Sequence, residues 1–236
     1  MIHDGRYRTP SWGAPALLTP LRSPPAGREL WWRWFVSVTI GELLGFAVPT
    51  LAGIAATRTT MLLAAAVMLA AGAAEGAVLG WFQAHVLRTV ITGFVRRDWI
   101  VATMLGAVTA WTVGLVPVLT DGLAGWPPLL VVPAIAAGAA LMVSSLGLTQ
   151  WMVLRRYLSG ARGWIAATAL AWIAGLSVMT AVTTPLWQPG QPVALTIAIG
   201  VLGGLGMAAT MAAVTGTFLV WLLRAQPHRA GQRRRV

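Results

Sequence analysis

Six apolar runs follow one another from Trp34 to Leu223, and their wording repeats with a period of 65 residues. Trp34, Trp99 and Trp164 open W-F-V-S-V-T-I-G, W-I-V-A-T-M-L-G and W-I-A-A-T-A-L-A. The alternate runs close on L-G-W-F-Q-A-H-V-L-R at Arg88, L-G-L-T-Q-W-M-V-L-R at Arg155 and T-G-T-F-L-V-W-L-L-R at Arg224. Self-similarity at a fixed period defines the unit of architecture before any single residue is considered. About 20 apolar residues suffice for a helix to cross the hydrocarbon core, so runs at 34–56, 60–87, 99–120, 129–154, 164–184 and 193–223 each span it. The expected fold is an all-α integral membrane protein of six transmembrane helices. They form three tandem, parallel two-helix repeats at 34–98, 99–163 and 164–224, gathered into a pseudo-threefold bundle.

Composition agrees. Hydrophobic residues make up 57% of the chain and charged ones 10%, against roughly 25% charged in a soluble domain. With no cysteine there is no disulfide framework, thiolate metal site or cysteine nucleophile. A net charge of +11 suggests nucleic acid, but the placement of the charge argues otherwise. All 17 basic residues are Arg, and every one except Arg58 falls in the N-terminal segment, the 88–97 and 155–162 connections, or the tail from Arg224. In a six-span chain these lie on one side, which is the positive-inside pattern and points both termini to the cytoplasm. The partner this charge implies is the anionic headgroup layer of the bilayer, with no nucleic acid.

The segment 1–33 reads as a flexible, basic arm punctuated by Pro10, Pro15, Pro20, Pro24 and Pro25, too polar to fold alone. It has no apolar core of the kind a signal peptide carries. Residues 225–236 read as a basic tail. Trp31, Trp32 and Trp34 are expected at the membrane interface, and Trp126 and Trp187 in an aromatic belt on the opposite side.

Little in the spans carries chemistry. Glu42 and Glu75 are the acids within them, and an ionisable residue inside a bilayer is a functional hypothesis by default. Glu42 lies eight residues past Trp34 and Glu75 eight before Gln83, so on antiparallel neighbours they stand nearly level. Two such carboxylates would share a proton or hold a cation, since both cannot ionise cheaply; the alternative is a neutral pair serving packing. The positions aligned with Glu42 are Ala107 and Trp172, and those aligned with Glu75 are Met142 and Met211, so a site here breaks the internal symmetry. His85, Trp111 and Trp172 are candidate contacts for an apolar ligand or cofactor, whose identity the sequence leaves unknown; each also has a structural explanation as a surface or core residue. Gly72, Gly76 and Gly80, with Gly147 and Gly216 in later repeats, are expected at close helix contacts, and Gln83 and Gln150 are expected to tie helices together. Asp98, beside Arg96 and Arg97, reads as a local ion pair. No metalloprotease, nucleophile-elbow or Walker motif occurs and no metal site is indicated, so the chain reads as non-enzymatic. Pro49, Pro117 and the Gly200–Gly206 cluster are places where a span could open.

The phrases L-G-L-T-Q-W-M-V-L-R-R at 146–156 and W-I-A-A-T-A-L-A-W at 164–172 resemble multi-pass bacterial membrane proteins that repeat G-x-x-Q-W-x-x-L-R before a Trp-led span. The first copy departs with Ala84 in place of the Trp, and the third with Leu219 in place of the Gln. What the resemblance implies is topology in the bacterial inner (plasma) membrane, or an intracytoplasmic membrane derived from it; it supplies no site residues. Two functions are expected from the residues. One is a membrane subunit or scaffold of a larger complex, with a membrane-protein partner and bound lipid or apolar cofactor. The other is a small proton- or cation-coupled transporter or channel using Glu42 and Glu75.

Overall fold

A computed structural model describes residues 27–226; the Pro-rich arm to residue 26 and the basic tail from residue 227 lie outside the described residues. Six long helices account for most of it: α1 (Gly27–Ala56), α2 (Met61–Val90), α3 (Arg96–Leu119), α4 (Pro128–Leu154), α5 (Gly163–Leu186) and α6 (Val193–Arg224). Each is long and apolar enough to cross a membrane, with mean hydropathy of 1.6 to 2.2 over its most apolar stretch. A helix satisfies its backbone groups internally, which is why such sequences take this form where water is missing. The chain is therefore a multi-pass, all-helical membrane protein.

Local sequence sets the ends. The Thr60 side chain accepts the Leu63 amide at the start of α2, and Pro128 opens α4, where a missing N–H costs nothing. Gly93 and Gly160 turn the chain into α3 and α5 with φ of 73° and 72°, a conformation that side chains resist. Neither proline opens a span, for α1 runs unbroken past Pro49 and α3 past Pro117; α6 likewise continues through Gly200–Gly206.

Each helix packs against its neighbours in sequence, and α6 returns to α1, so the six close into a ring. Glycines set the closest approaches. A Cβ added at Gly76 would stand 2.8 Å from Cα of Met104 on α3, and one at Gly80 would stand 3.0 Å from Cα of Ile100. Gly147 bears on Ile165 of α5 in the same way at 2.9 Å, and Gly216 on the Trp34 ring of α1. The principal core gathers around Trp34, Trp99 and Trp164 near the end of the bundle that carries the termini.

Three expectations need correction. Trp34 is fully buried in the bundle rather than at the interface, because its indole N–H finds a hydroxyl on α6. Helix α1 begins at Gly27, seven residues before the expected start of the span, so residues 27–33 are helix rather than arm. The Glu29–Arg33 pair one turn apart and the bond from Trp31 to Thr217 on α6, 3.0 Å, hold that extra length. Asp98 pairs not with its neighbours but with Arg156 of the next connection, at 2.8 Å.

Candidate functional site

Indoles and amides build the floor of the site. Trp99 Nε1 donates to Gln83 Oε1 at 3.0 Å, Trp164 Nε1 to Gln150 Oε1 at 2.8 Å, and Trp34 Nε1 to Thr215 Oγ1 at 2.9 Å. Each bond joins an even-numbered helix to the odd-numbered helix that follows it around the ring. At the centre, Gln150 Nε2 donates both to Gln83 Oε1 (2.9 Å) and to Thr103 Oγ1 (3.1 Å). The Thr103 hydroxyl donates in turn to the Trp99 carbonyl, and Thr168 does the same to Trp164. Ring centroids of Trp34 and Trp99 lie 5.9 and 6.1 Å from that of Trp164, both edge-on, and all three indoles have no exposed surface. Aromatic pairs prefer this geometry, and the layer fills the bundle from side to side.

Two turns farther in, about 12 Å along the helices, stand the acids. Glu42 on α1 and Glu75 on α2 are 2% and 6% exposed, and both line one small cavity of about 20 Å³ together with Trp111, Trp172, Ala107 and Leu146. Five helices contribute to its wall. Trp111 Nε1 donates to Glu75 Oε2 at 2.8 Å. Oε2 of Glu42 and Nε1 of Trp172 are buried and have no hydrogen-bond partner. Buried polar atoms in native proteins are nearly always paired, so an unpaired acceptor and an unpaired donor on residues of one cavity make it the candidate ligand site. At about 20 Å³ the cavity has room for water. No basic side chain lines it.

Glycines make this arrangement possible. A Cβ at Gly72 would overlap the Trp111 ring, so Gly72 is the slot that lets the indole reach Glu75. Gly45 on α1 faces Glu75 Cγ at 3.3 Å from the place a Cβ would take. Sequence reasoning did not single out Gly45 or the Trp111–Glu75 bond. It also missed Thr215, which takes up Trp34 one turn before Leu219, the residue standing where the other repeats have Gln.

The structure does not bring His85 together with Trp111 and Trp172. His85 is exposed and lines an open groove of about 710 Å³ between α1 and α2, with Trp32, Arg33 and Trp81. Its ring lies 5.8 Å from that of Trp81, over which Arg96 also sits at 5.6 Å. His85 thus stands at a separate place from Trp111 and Trp172, which share the small inner cavity. Among the described residues no three His, Cys, Asp or Glu side chains form a metal-binding group. Compared with known proteins, the chain matches no family model, no curated protein and no solved structure, so its likeness to Trp-led multi-pass proteins rests on those phrases alone.

Proposed function

We propose that the protein is a small transporter or channel of the bacterial plasma membrane, passing a proton or monovalent cation through a site formed by Glu42 and Glu75. One observation carries this reading: two buried glutamates from neighbouring helices line a single small cavity, and Oε2 of Glu42 has no protein partner. Ionisable groups at such depth are costly to keep and mark ion or proton pathways. Packing on either side of the cavity supports access from one face. Toward the termini the tryptophan layer and its amides close the bundle. Toward the opposite end α3 has no buried residue after Ala107, and α4 has none before Ser145.

In this reading the frame is three tandem two-helix repeats about a pseudo-threefold axis. The matching indole bonds on Gln83, Gln150 and Thr215, with α6 closing on α1, support it. Six spans leave both termini on one side, and the arginine placement favours the cytoplasm. To test the function, purified protein is reconstituted in liposomes under an imposed potential. It should carry a cation flux that the double substitution Glu42→Gln, Glu75→Gln abolishes while helicity and monodispersity stay unchanged. Undiminished flux in the double variant would refute the site.

One observation favours a second reading, a scaffold or subunit of a membrane complex. The loop-side half of α4 is uncovered, with Leu129, Val132 and Ile135 at 85%, 72% and 57% exposure, as suits a helix that meets a membrane partner. Native mass spectrometry after gentle-detergent purification tests it. A second chain at fixed stoichiometry would support that role, and a lone particle would contradict it.

A further inference from the structure

The ligand of the Glu42–Glu75 cavity follows from the chemistry of its walls. A bare metal cation gives up its hydration shell only where oxygen lone pairs replace it. Membrane transporters that hold sodium commonly supply those oxygens from unwound backbone at broken helices. Here α1, α2, α3 and α5 run as uninterrupted helices past Glu42, Glu75, Trp111 and Trp172, which engages most of their carbonyls; Pro49 leaves the Gly45 carbonyl without its N–H, but neither Gly45 nor any other residue freed by an internal proline lines the cavity. Of the four carboxyl oxygens, Oε2 of Glu75 is already taken by the Trp111 N–H. The remaining polar group on the wall is another indole, Trp172, whose N–H is buried and unpaired. N–H donors repel a cation and bind what accepts a hydrogen bond. The space, about 20 Å³, admits water.

We infer that the site, taken as the transport site proposed above, is selective for the proton. A single water is held there between the Trp172 N–H and the carboxyl of Glu42. The water accepts from Trp172 and donates to Glu42. The pair holds one proton at rest: transfer from protonated Glu42 through this water to ionised Glu75 leaves a Glu42 carboxylate and a Glu75 carboxylic acid. A proton arriving from the loop end converts the water to hydronium, which passes it to the Glu42 carboxylate and returns to neutral water, and release of the proton from Glu75 completes the passage. Trp111, already bonded to Glu75, and Trp172, bonded to the water, are positioning residues.

Reconstituted full-length protein separates the possibilities. Proton flux is read with an entrapped pH dye, and sodium, potassium and lithium uptake is read on the same liposomes. The expected result is proton flux that is unchanged when choline replaces the alkali cations, with no alkali-cation uptake above empty liposomes. Trp172→Phe removes the N–H and keeps an aromatic ring; it should lower proton flux about tenfold while the protein stays folded and monodisperse. Alkali-cation uptake that needs Glu42 and Glu75 would overturn proton selectivity while sparing the transport reading. Wild-type proton flux in Trp172→Phe would overturn the role of the water. Absence of flux for every ion would overturn the transport reading and this inference with it.

Discussion

Gln150 makes three interhelical hydrogen bonds, accepting from Trp164 and donating to Gln83 and Thr103, while fully buried. Side-chain bonds between membrane helices are worth about 0.6 kcal/mol on average, and more where their loss strands a buried partner. Gln150→Leu leaves the Trp164 N–H without an acceptor and Gln83 with one donor fewer. It should therefore cost about 1–3 kcal/mol, read as a lowered unfolding midpoint in detergent. Gln83→Leu should cost a comparable amount, since it strands Trp99 and one donor of Gln150. The two glutamines could be singled out from sequence because they recur at matching places before Arg88 and Arg155. Thr215 could not, because the third repeat carries Leu219 at that place and moves the acceptor back one turn. Trp111 was visible as a tryptophan inside a span. Its bond to Glu75 was not, since it depends on the slot at Gly72 and on how α2 and α3 are rotated against each other.

Helix boundaries were largely legible, because each apolar run is bounded by Arg, Pro or Gly and the bilayer sets its length. The exception is the start of α1, whose first turns are charged and held by contacts with α6 that no local pattern reveals. Contacts between elements depend on glycine in a way that separates two outwardly similar positions. At Gly76 an added methyl would meet Cα of Met104 and the Thr103 carbonyl, both at 2.8 Å, and a backbone cannot step aside cheaply. Gly76→Ala should destabilise by about 1–3 kcal/mol through forced separation of α2 and α3. Gly114, also within a helix, has nothing within 4 Å of that point. Gly114→Ala should be neutral or stabilising by up to about 1 kcal/mol, from helix propensity alone. Thermal unfolding of the two variants side by side checks the opposite signs. Equal effects would mean that the glycine stripe does not set the α2–α3 spacing.

The whole molecule is asymmetric along its length. One end is packed through tryptophan and amide, the other is a set of apolar helices with few buried residues, and the acids stand where the two regimes meet. Among the described residues, every arginine except Arg58 lies at or beside the packed end. A periplasmic reporter enzyme fused after Trp126 should be active, and the same enzyme fused after Arg224 inactive; the reverse pattern would invert the proposed topology. The six apolar runs made the six-helix plan readable in the sequence, whereas the meeting of Glu42 with Glu75 required knowing which helix faces were turned inward. That meeting is what the proposed function rests on. Proton flux into liposomes is its most direct measurement, comparing wild type with Glu42→Gln and Glu75→Gln singly and using Gly114→Ala as a folded control. Flux in the wild type and control, with loss in each acid variant, is the expected result. Equal flux in all four, or none in the wild type, would contradict a transport site at these two glutamates.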